Sequence, residues 1–442
     1  MPNSQQWRDV KRLKESGMNI IRVAHYPQDP SFMDACDEMG IFVIVATPGW
    51  QFWNKDPKFA ELVHQNTREI IRRDRNHPCV LMWEPILNET RYPEDFSLQA
   101  LQITKDEYPY QYRPMAAADM NSAGVKDNYD VLYGWTTDIG KEGIPTDRCI
   151  FTREFGEMVD DWYAHNCLNR AARAWGEKPQ LTAAVSLNDT YNDIIGTRGQ
   201  FIGGALWHPF DHQRGYPPDT YYGGIYDAFR QKKYAQPMFE AMDTTLAPNV
   251  FIAHELTPFS DEDVVVFSNC DSVRLTVFEG DKVATIAQGE SEGHSIAFTQ
   301  SHKDKKGLFV FHNFWDFWKS RTYSYNKKNW QRVSLLAEGI KDGKVVCSQK
   351  KMPSRRSTKV RLYVDDMGKQ LEADGSDFVV VVAEVTDDNG NVRRLAMDDI
   401  QFEVQGDEKR IPDLVVFVNG IPVVVLEFKS AIKEATTIMD AY

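Results

Sequence analysis

Short apolar runs alternate with amphipathic stretches through the first half of the chain, and most of the runs break off in polar or charged residues. Residues 7–16 space their apolar positions for one face of a helix, which Gly17 stops. Residues 20–23 and 41–46 are short runs rich in β-branched apolar residues, interrupted only by Arg22, the pattern of strands buried on both faces. Residues 58–74 are helical and rich in charge, and further strand-like runs cover 80–87, 115–118, 131–133, 149–152 and 201–207. Strands alternating with helices predict an α/β barrel over residues 1–245, with seven strands where a closed barrel has eight. The first helix stands where the helix after a first strand would be, so the barrel is expected to lack that strand and to leave the 20–23 and 201–207 edges unpaired. Beyond residue 246 the helical periodicity fades. Strand-like runs at 264–268, 274–278, 307–311 and 332–337 predict a β-sandwich over 246–352. Alternation at 359–364, 377–385 and 400–404, with an Asn389-Gly390 turn signal, predicts a second, partial β-module over 353–406. Residues 407–442 break that pattern with a strand, a turn and a strand.

The most informative run is Cys79-Val80-Leu81-Met82-Trp83-Glu84-Pro85-Ile86-Leu87-Asn88-Glu89, led in by Asn76-His77-Pro78. An apolar strand that ends in an amide and a carboxylate suits a barrel strand opening into a site at its C-terminal end. A carboxyl group there is expected to be desolvated enough to hold a proton near neutral pH. A second carboxylate, Glu154, ends the run that begins at Cys149. Two carboxylates on two strand ends suggest glycosidic bond cleavage. The adjacent Arg153 favours the ionised form of Glu154 only if it folds to the same side, and strand alternation points the two side chains to opposite faces. Glu84 is read as structural, satisfied by Arg22 or Arg113.

The segment from Asn76 to Glu89 resembles the acid/base region of glycoside hydrolase family 2, the β-galactosidase and β-glucuronidase family. Gly17-Met18-Asn19-Ile20-Ile21-Arg22-Val23-Ala24-His25-Tyr26-Pro27 with its continuation to Ile41, Arg153-Glu154-Phe155-Gly156, and Gly203-Gly204-Ala205-Leu206-Trp207 resemble further motifs of that family, in family order. The resemblance implies a retaining exo-β-glycosidase of the β-galactosidase type, with Glu89 as acid/base and Glu154 as nucleophile. It also implies Asn88, Arg22, His25 and Trp207 as substrate-binding groups, and an immunoglobulin-like fold for the sandwich that follows the barrel; the module over 353–406 resembles a bacterial immunoglobulin-like repeat. Asp211 and His212 follow Trp207, and Asp211 stands evenly between a hydroxyl ligand and a loop-structural residue. Asp119 and Asn121 are weaker candidates. Many β-galactosidases carry an acidic residue where this chain reads Thr47-Pro48-Gly49-Trp50, which leaves the sugar open and makes Trp50 or Trp53 a candidate pocket wall. The family's N-terminal β-sandwich modules are missing ahead of the barrel, so the chain reads as a fragment, and an inactive carbohydrate-binding fragment is the alternative.

Residues 410–442 resemble the nuclease core of the type I restriction endonuclease R subunit, through Pro412-Asp413 and Glu427-Phe428-Lys429. That resemblance implies Mg²⁺ on Asp413 and Glu427, with Lys429 orienting a water. Placing Asp413 opposite Glu427 calls for a three-residue turn. The segment is expected to form a hairpin that packs little against the rest and is catalytically silent, a nuclease-type function being the second alternative.

Composition sharpens this picture. Across 442 residues the net charge of −13 disfavours general nucleic-acid binding, except through the C-terminal segment. The expected partner is a carbohydrate, a β-linked glycan or oligosaccharide; oxocarbenium chemistry needs carboxylates only, so no cofactor and no barrel metal are expected. The six cysteines have no zinc spacing. No apolar run is long enough to span a membrane, and residues 1–7 do not read as a signal peptide, although a longer relative could be periplasmic or secreted. The cluster from Phe314 to Trp318 is either a sugar-stacking surface or an aromatic group of the sandwich core or of a domain interface.

Overall fold

A computed structural model describes residues 1–109, 116–156, 167–213, 220–279, 282–283, 295–298, 305–315, 333–372, 377–393, 396–402, 414–418 and 421–426. Seven parallel strands build the first region: β1 (Ile20–Val23), β2 (Phe42–Ala46), β3 (Val80–Glu84), β4 (Ala117–Asp119), β5 (Val131–Tyr133), β6 (Cys149–Phe155) and β7 (Phe201–Leu206). Strands β1 to β3 form one ladder and β4 to β7 another, and a parallel bridge between Trp83 and Ala116 joins them in chain order. Strands β1 and β7 come near each other without forming a ladder, so among the described residues the ring is open there.

The helices between strands start where local chemistry tells them to. In α2 (Pro30–Met39) the Asp29 side chain accepts the Ser31 N–H, and Pro30 presets the first turn; in α3 (Pro57–Asp74) Asp56 caps Lys58 N–H in the same way. Helix α4 is Glu94–Glu107 and α5 is Glu177–Gly196. Helix α1 (Asn3–Glu15) turns Val10 into the core that also holds Met33, Val43 and Trp83. Its polar side is buried as well, because the third region covers it. Arg8 is fully buried and donates to the carbonyls of Phe378 (2.8 Å), Lys369 (3.1 Å) and Asp366 (3.2 Å), while Arg12 pairs with Asp365 at 2.6 Å.

Helix α6 (Ala235–Met242) leads into two antiparallel sheets. One holds Val250–Ile252, Val264–Ser268 and Leu308–Phe311; the other is centred on Ser272–Glu279, Val333–Lys341 and Lys344–Lys351. Alternate residues of both sheets, among them Val264, Val266, Val273, Leu275, Phe309, Phe311 and Leu335, meet in one core, as period-two burial in a sandwich requires. Phe314 and Trp315 are buried in that core, so this part of the aromatic cluster is packing rather than a sugar platform; Asp316 to Trp318 lie outside the described residues.

In the third region Lys359–Asp365 pairs with Val380–Thr386, and Asp387 organises the following turn by accepting the Asn389 and Asn391 N–H groups. Residues 400–402 are not in a strand, and the rest of that expected strand lies outside the described residues. The C-terminal strands Leu414–Val418 and Ile421–Leu426 form the expected hairpin, with a correction to its register and another to its isolation. Val418 pairs with Ile421, two positions intervening in the sequence, and a register shift between Val416 and Phe417 brings Leu414 opposite Leu426. The bulge thereby does the work expected of a third turn residue. Val418 also pairs with Ala383, which makes the hairpin part of a four-stranded sheet.

Candidate active site

Barrel strand ends converge on two carboxylates. Arg22, from β1, is the hub: Nε and Nη2 donate to the two oxygens of Glu84, each at 2.7 Å, Nη1 donates to Glu154 at 2.7 Å, and Nη2 also reaches Asn88 Oδ1 at 3.2 Å. The side chains of Arg22 and Glu84 are each 2% exposed and that of Glu154 is 15% exposed, so these ion pairs stand largely out of water. Tyr133 of β5 donates to Glu84 at 3.0 Å. Burial opposes the Arg22 charge, but the neighbouring Glu84 carboxylate more than restores it and holds the guanidinium firmly protonated. Glu84 therefore has the structural partner expected of it, and its two bonds fix the guanidinium whose Nη1 meets Glu154.

Glu89 lies past the end of β3 in a left-handed backbone conformation, φ 48°, sparsely populated for a residue with a side chain. The neighbouring segment fixes it there. Gly49 N–H donates to His25 O, Asn88 N–H to Gly49 O, and Gln51 N–H to Asn88 O. Gly49 has φ 139°, a conformation that side chains rarely adopt, and a β-carbon there would lie 2.4 Å from a Leu87 side-chain methyl, so another residue would be strained and would displace that methyl. Three donors then surround the Glu89 carboxylate: Trp50 Nε1 at 3.0 Å, Gln51 Nε2 at 2.8 Å and Arg153 Nη2 at 2.9 Å. Burial favours the protonated acid, but these hydrogen bonds and the Arg153 charge outweigh it and hold Glu89 below the usual carboxyl range. A raised value was expected here. The difference arises because Glu89 is only half-buried and meets donors alone.

Arg153 is the residue that sequence alternation misplaced. The pairing of β6 with β7 shifts register between Thr152 and Phe155, so Arg153 and Glu154 share an irregular stretch. Both side chains reach the cleft, Arg153 bridging Glu89 and Asp119, and Glu154 meeting Arg22. The adjacency of Arg153 and Glu154 was visible in the sequence, but the bulge was not. Asp119 is thus tied to Arg153 and also accepts the Asn121 N–H.

His25 stacks between Trp50, with centroids 5.8 Å apart, and Trp207, at 5.7 Å. Burial pulls its imidazole down to about 4, so it is neutral at physiological pH. Its buried Nδ1, like the buried Nδ2 of Asn88, has no hydrogen-bond partner among the described residues. These two polar atoms are buried without a partner, and the Trp50 and Trp207 rings stacked on His25 suit sugar C–H faces. Trp50 lines this wall; Trp53 instead packs on Phe96 (4.8 Å) and Phe59 (5.4 Å). Asp211 is 4% exposed and taken up by Lys233 Nζ at 2.6 Å and Gly224 N–H at 2.8 Å. Burial pushes its carboxyl up to about 7 and pulls Lys233 down. These contacts fit the loop-structural side of its expectation. His212 stands beside Trp207, His208 and Tyr221, with Nδ1 3.2 Å from Phe210 O. Arg113, Asp413, Glu427 and Lys429 lie outside the described residues.

Away from this cleft, at the start of β3, Asp37, His77 and Cys79 bring potential ligand atoms within 4.8 Å of one another. Asp37 already engages the other two, at 2.6 Å to His77 Nδ1 and 2.7 Å to Cys79 N–H, which makes the group a clamp on the turn into the strand.

Residues 1–141 match the TIM barrel domain of the glycosyl hydrolases family 2, and residues 396–442 match the N terminus of the type I restriction enzyme R protein. The second match starts inside the expected 353–406 module. A β-galactosidase of Thermoanaerobacter pseudethanolicus is 29% identical over 430 residues, covering 93% of this chain and 53% of the relative. One from Thermoanaerobacterium thermosulfurigenes is 25% identical, covering 95% and 58%. The chain spans about half the length of these relatives. Among solved structures, a β-glycosidase from Bacteroides vulgatus shares the fold with a TM-score of 0.64 at 20% identity, covering 89% of this chain and 52% of the other. A β-glucuronidase from glycoside hydrolase family 2 does so at the same TM-score and 21% identity, covering 89% and 39%.

Proposed function

We propose, for a chain that carries a family 2 glycoside hydrolase barrel and resembles β-galactosidases over most of its length, a retaining exo-β-glycosidase activity of the β-galactosidase type. The observation that carries the reading is the Arg22 and Arg153 network. It ties Glu89 and Glu154 to one rim of the parallel strands, beside the unpartnered polar atoms of Asn88 and His25 and the Trp50 and Trp207 rings that stack on His25. In this reading Glu154, aimed by Arg22, attacks the anomeric carbon. Glu89 protonates the leaving oxygen and then, as a carboxylate, activates the water that releases the sugar. The three donors around Glu89 favour the carboxylate of the second step. The first step calls for the leaving-group oxygen to enter while Arg153 keeps its other partner, Asp119.

The β-modules act as immunoglobulin-like spacers in this reading, and the C-terminal hairpin is a restriction-nuclease-like remnant. The open edge between β1 and β7 favours a second reading, a barrel that binds sugar without turning it over. Aryl β-galactoside hydrolysis separates the two. Turnover that vanishes in Glu154→Gln and returns as glycosyl azide when Glu154→Gly is given azide supports the retaining mechanism. Sugar binding by calorimetry with no turnover in the unsubstituted chain supports the binding reading. Near-normal turnover in Glu154→Gln removes the nucleophile assignment.

A further inference from the structure

Two thiols meet in the sandwich, 77 residues apart in sequence: Cys270 Sγ and Cys347 Sγ are 3.7 Å apart. Cys270 lies on the crossing between Val264–Ser268 of one sheet and Ser272–Glu279 of the other. Cys347 is carried by Lys344–Lys351, directly opposite Gly339 in the ladder. A β-carbon on Gly339 would stand 2.6 Å from each sulfur. Any other residue there would push the sulfurs away, so the pair occupies a notch that this glycine provides. Cys270 is buried and Cys347 partly exposed, so Cys347 is the more accessible of the two to a reagent from solvent.

We propose that Cys270 and Cys347 are a disulfide-forming pair, oxidised by thiol exchange with a low-molecular-weight or protein disulfide. The Cys347 thiolate attacks one sulfur of the oxidant, its S–S bond breaks, and the first thiolate leaves. The Cys270 thiolate then attacks the Cys347 sulfur of the mixed disulfide and expels the second. The two protons lost by the protein thiols end on the two released thiols, so the protein is oxidised by two electrons and the oxidant reduced by two. The sulfurs have to close from 3.7 Å to about 2.05 Å. Burial, together with the facing Cys270 thiol, pushes Cys347 up to about 11, so the exchange speeds up as pH rises towards that value.

The cross-link would close a long loop and constrain the unfolded chain accordingly. It would also secure the junction with the barrel. Asn269, next to Cys270, accepts the Asn249 N–H at 2.9 Å and donates to Ala247 O at 3.0 Å and Asp243 O at 3.1 Å, all in the segment that follows α6.

The test is incubation of the whole chain with oxidised glutathione at pH 8.5, followed by alkylation and non-reducing peptide mapping. The expected result is a peptide joining Cys270 to Cys347, loss of two of the six alkylatable thiols, and a sandwich melting transition raised by several degrees and returned by dithiothreitol. Cys270→Ser should stop at a glutathione adduct on Cys347. Gly339→Ala, which keeps both thiols and displaces them, should lower the cross-linked fraction at least tenfold. Full alkylation of Cys270 and Cys347 after oxidation, or a stable glutathione adduct on Cys347 with Cys270 present, overturns the proposal. So does undiminished cross-linking in Gly339→Ala.

Discussion

Replacing Arg22 by Met tests the centre of the site most directly. Methionine keeps the unbranched stem and removes the guanidinium, and with it two bonds to Glu84, one to Glu154 and one to Asn88. Glu84 is 2% exposed, so its carboxylate would be left with Tyr133 as its remaining described donor and with almost no water. Removing one partner of a buried ion pair costs about 3–5 kcal/mol, because the desolvated charge that remains is uncompensated. The retained Tyr133 bond puts the expectation at the lower end, about 3 kcal/mol. With a urea dependence of about 2 kcal/mol per molar, the barrel midpoint should fall by about 1.5 M. The readout is hydrogen exchange in the β1, β2 and β3 peptides across a urea series, which isolates the barrel from the sandwich. Adding Glu84→Gln to Arg22→Met should recover about 2 kcal/mol, since the buried charge and its orphaned partner disappear together. Should Arg22→Met cost less than about 1 kcal/mol, or the double variant be as unstable as the sum of the singles, the pairing would not be the organising contact described above.

Other expectations concern protons and the C-terminal segment. Arg153→Gln removes a charge that holds Glu89 low, so the pH limb of kcat/KM governed by Glu89 should move upward; an unmoved profile would count against the Arg153 contact. His254 is pulled down to about 4, chiefly by burial. Its Nδ1 accepts the Leu256 N–H and its Nε2 lies 2.9 Å from Asp261 O, so protonation would break the Leu256 bond. The unfolded chain therefore binds the proton more readily, and stability should fall as pH drops from about 6.5 towards 4. His254→Gln should flatten that slope in acid-denaturation curves of the sandwich, and an identical slope would rule the contribution out. Mg²⁺-dependent DNA cleavage should be absent in this chain; cleavage lost in both Asp413→Ala and Lys429→Ala would restore the nuclease reading.

The chemistry of the strand ends was legible in the residues themselves. A strand buried on both faces can be apolar only as far as its polar terminus, so Glu89 and Glu154 stood out, and the 20–23 and 131–133 strands have the predicted limits. Helix starts were local too, because Asp29 and Asp56 bond within two residues of themselves. What crosses between strands was not legible. Arg22 could be read as a site residue, but Glu154 lies 132 positions away, and only the parallel ring brings them to 2.7 Å. Strand alternation sent Arg153 to the wrong face because the register shift in β6 depends on its neighbour β7, not on its own residues. The same limit hid the docking of the C-terminal hairpin on Ala383, the capture of Asp211 by Lys233 and the notch over Gly339. Periodicity and capping are short-range properties of one chain segment, whereas ion-pair choice, desolvation and sheet register are set by whichever distant segment the fold brings alongside.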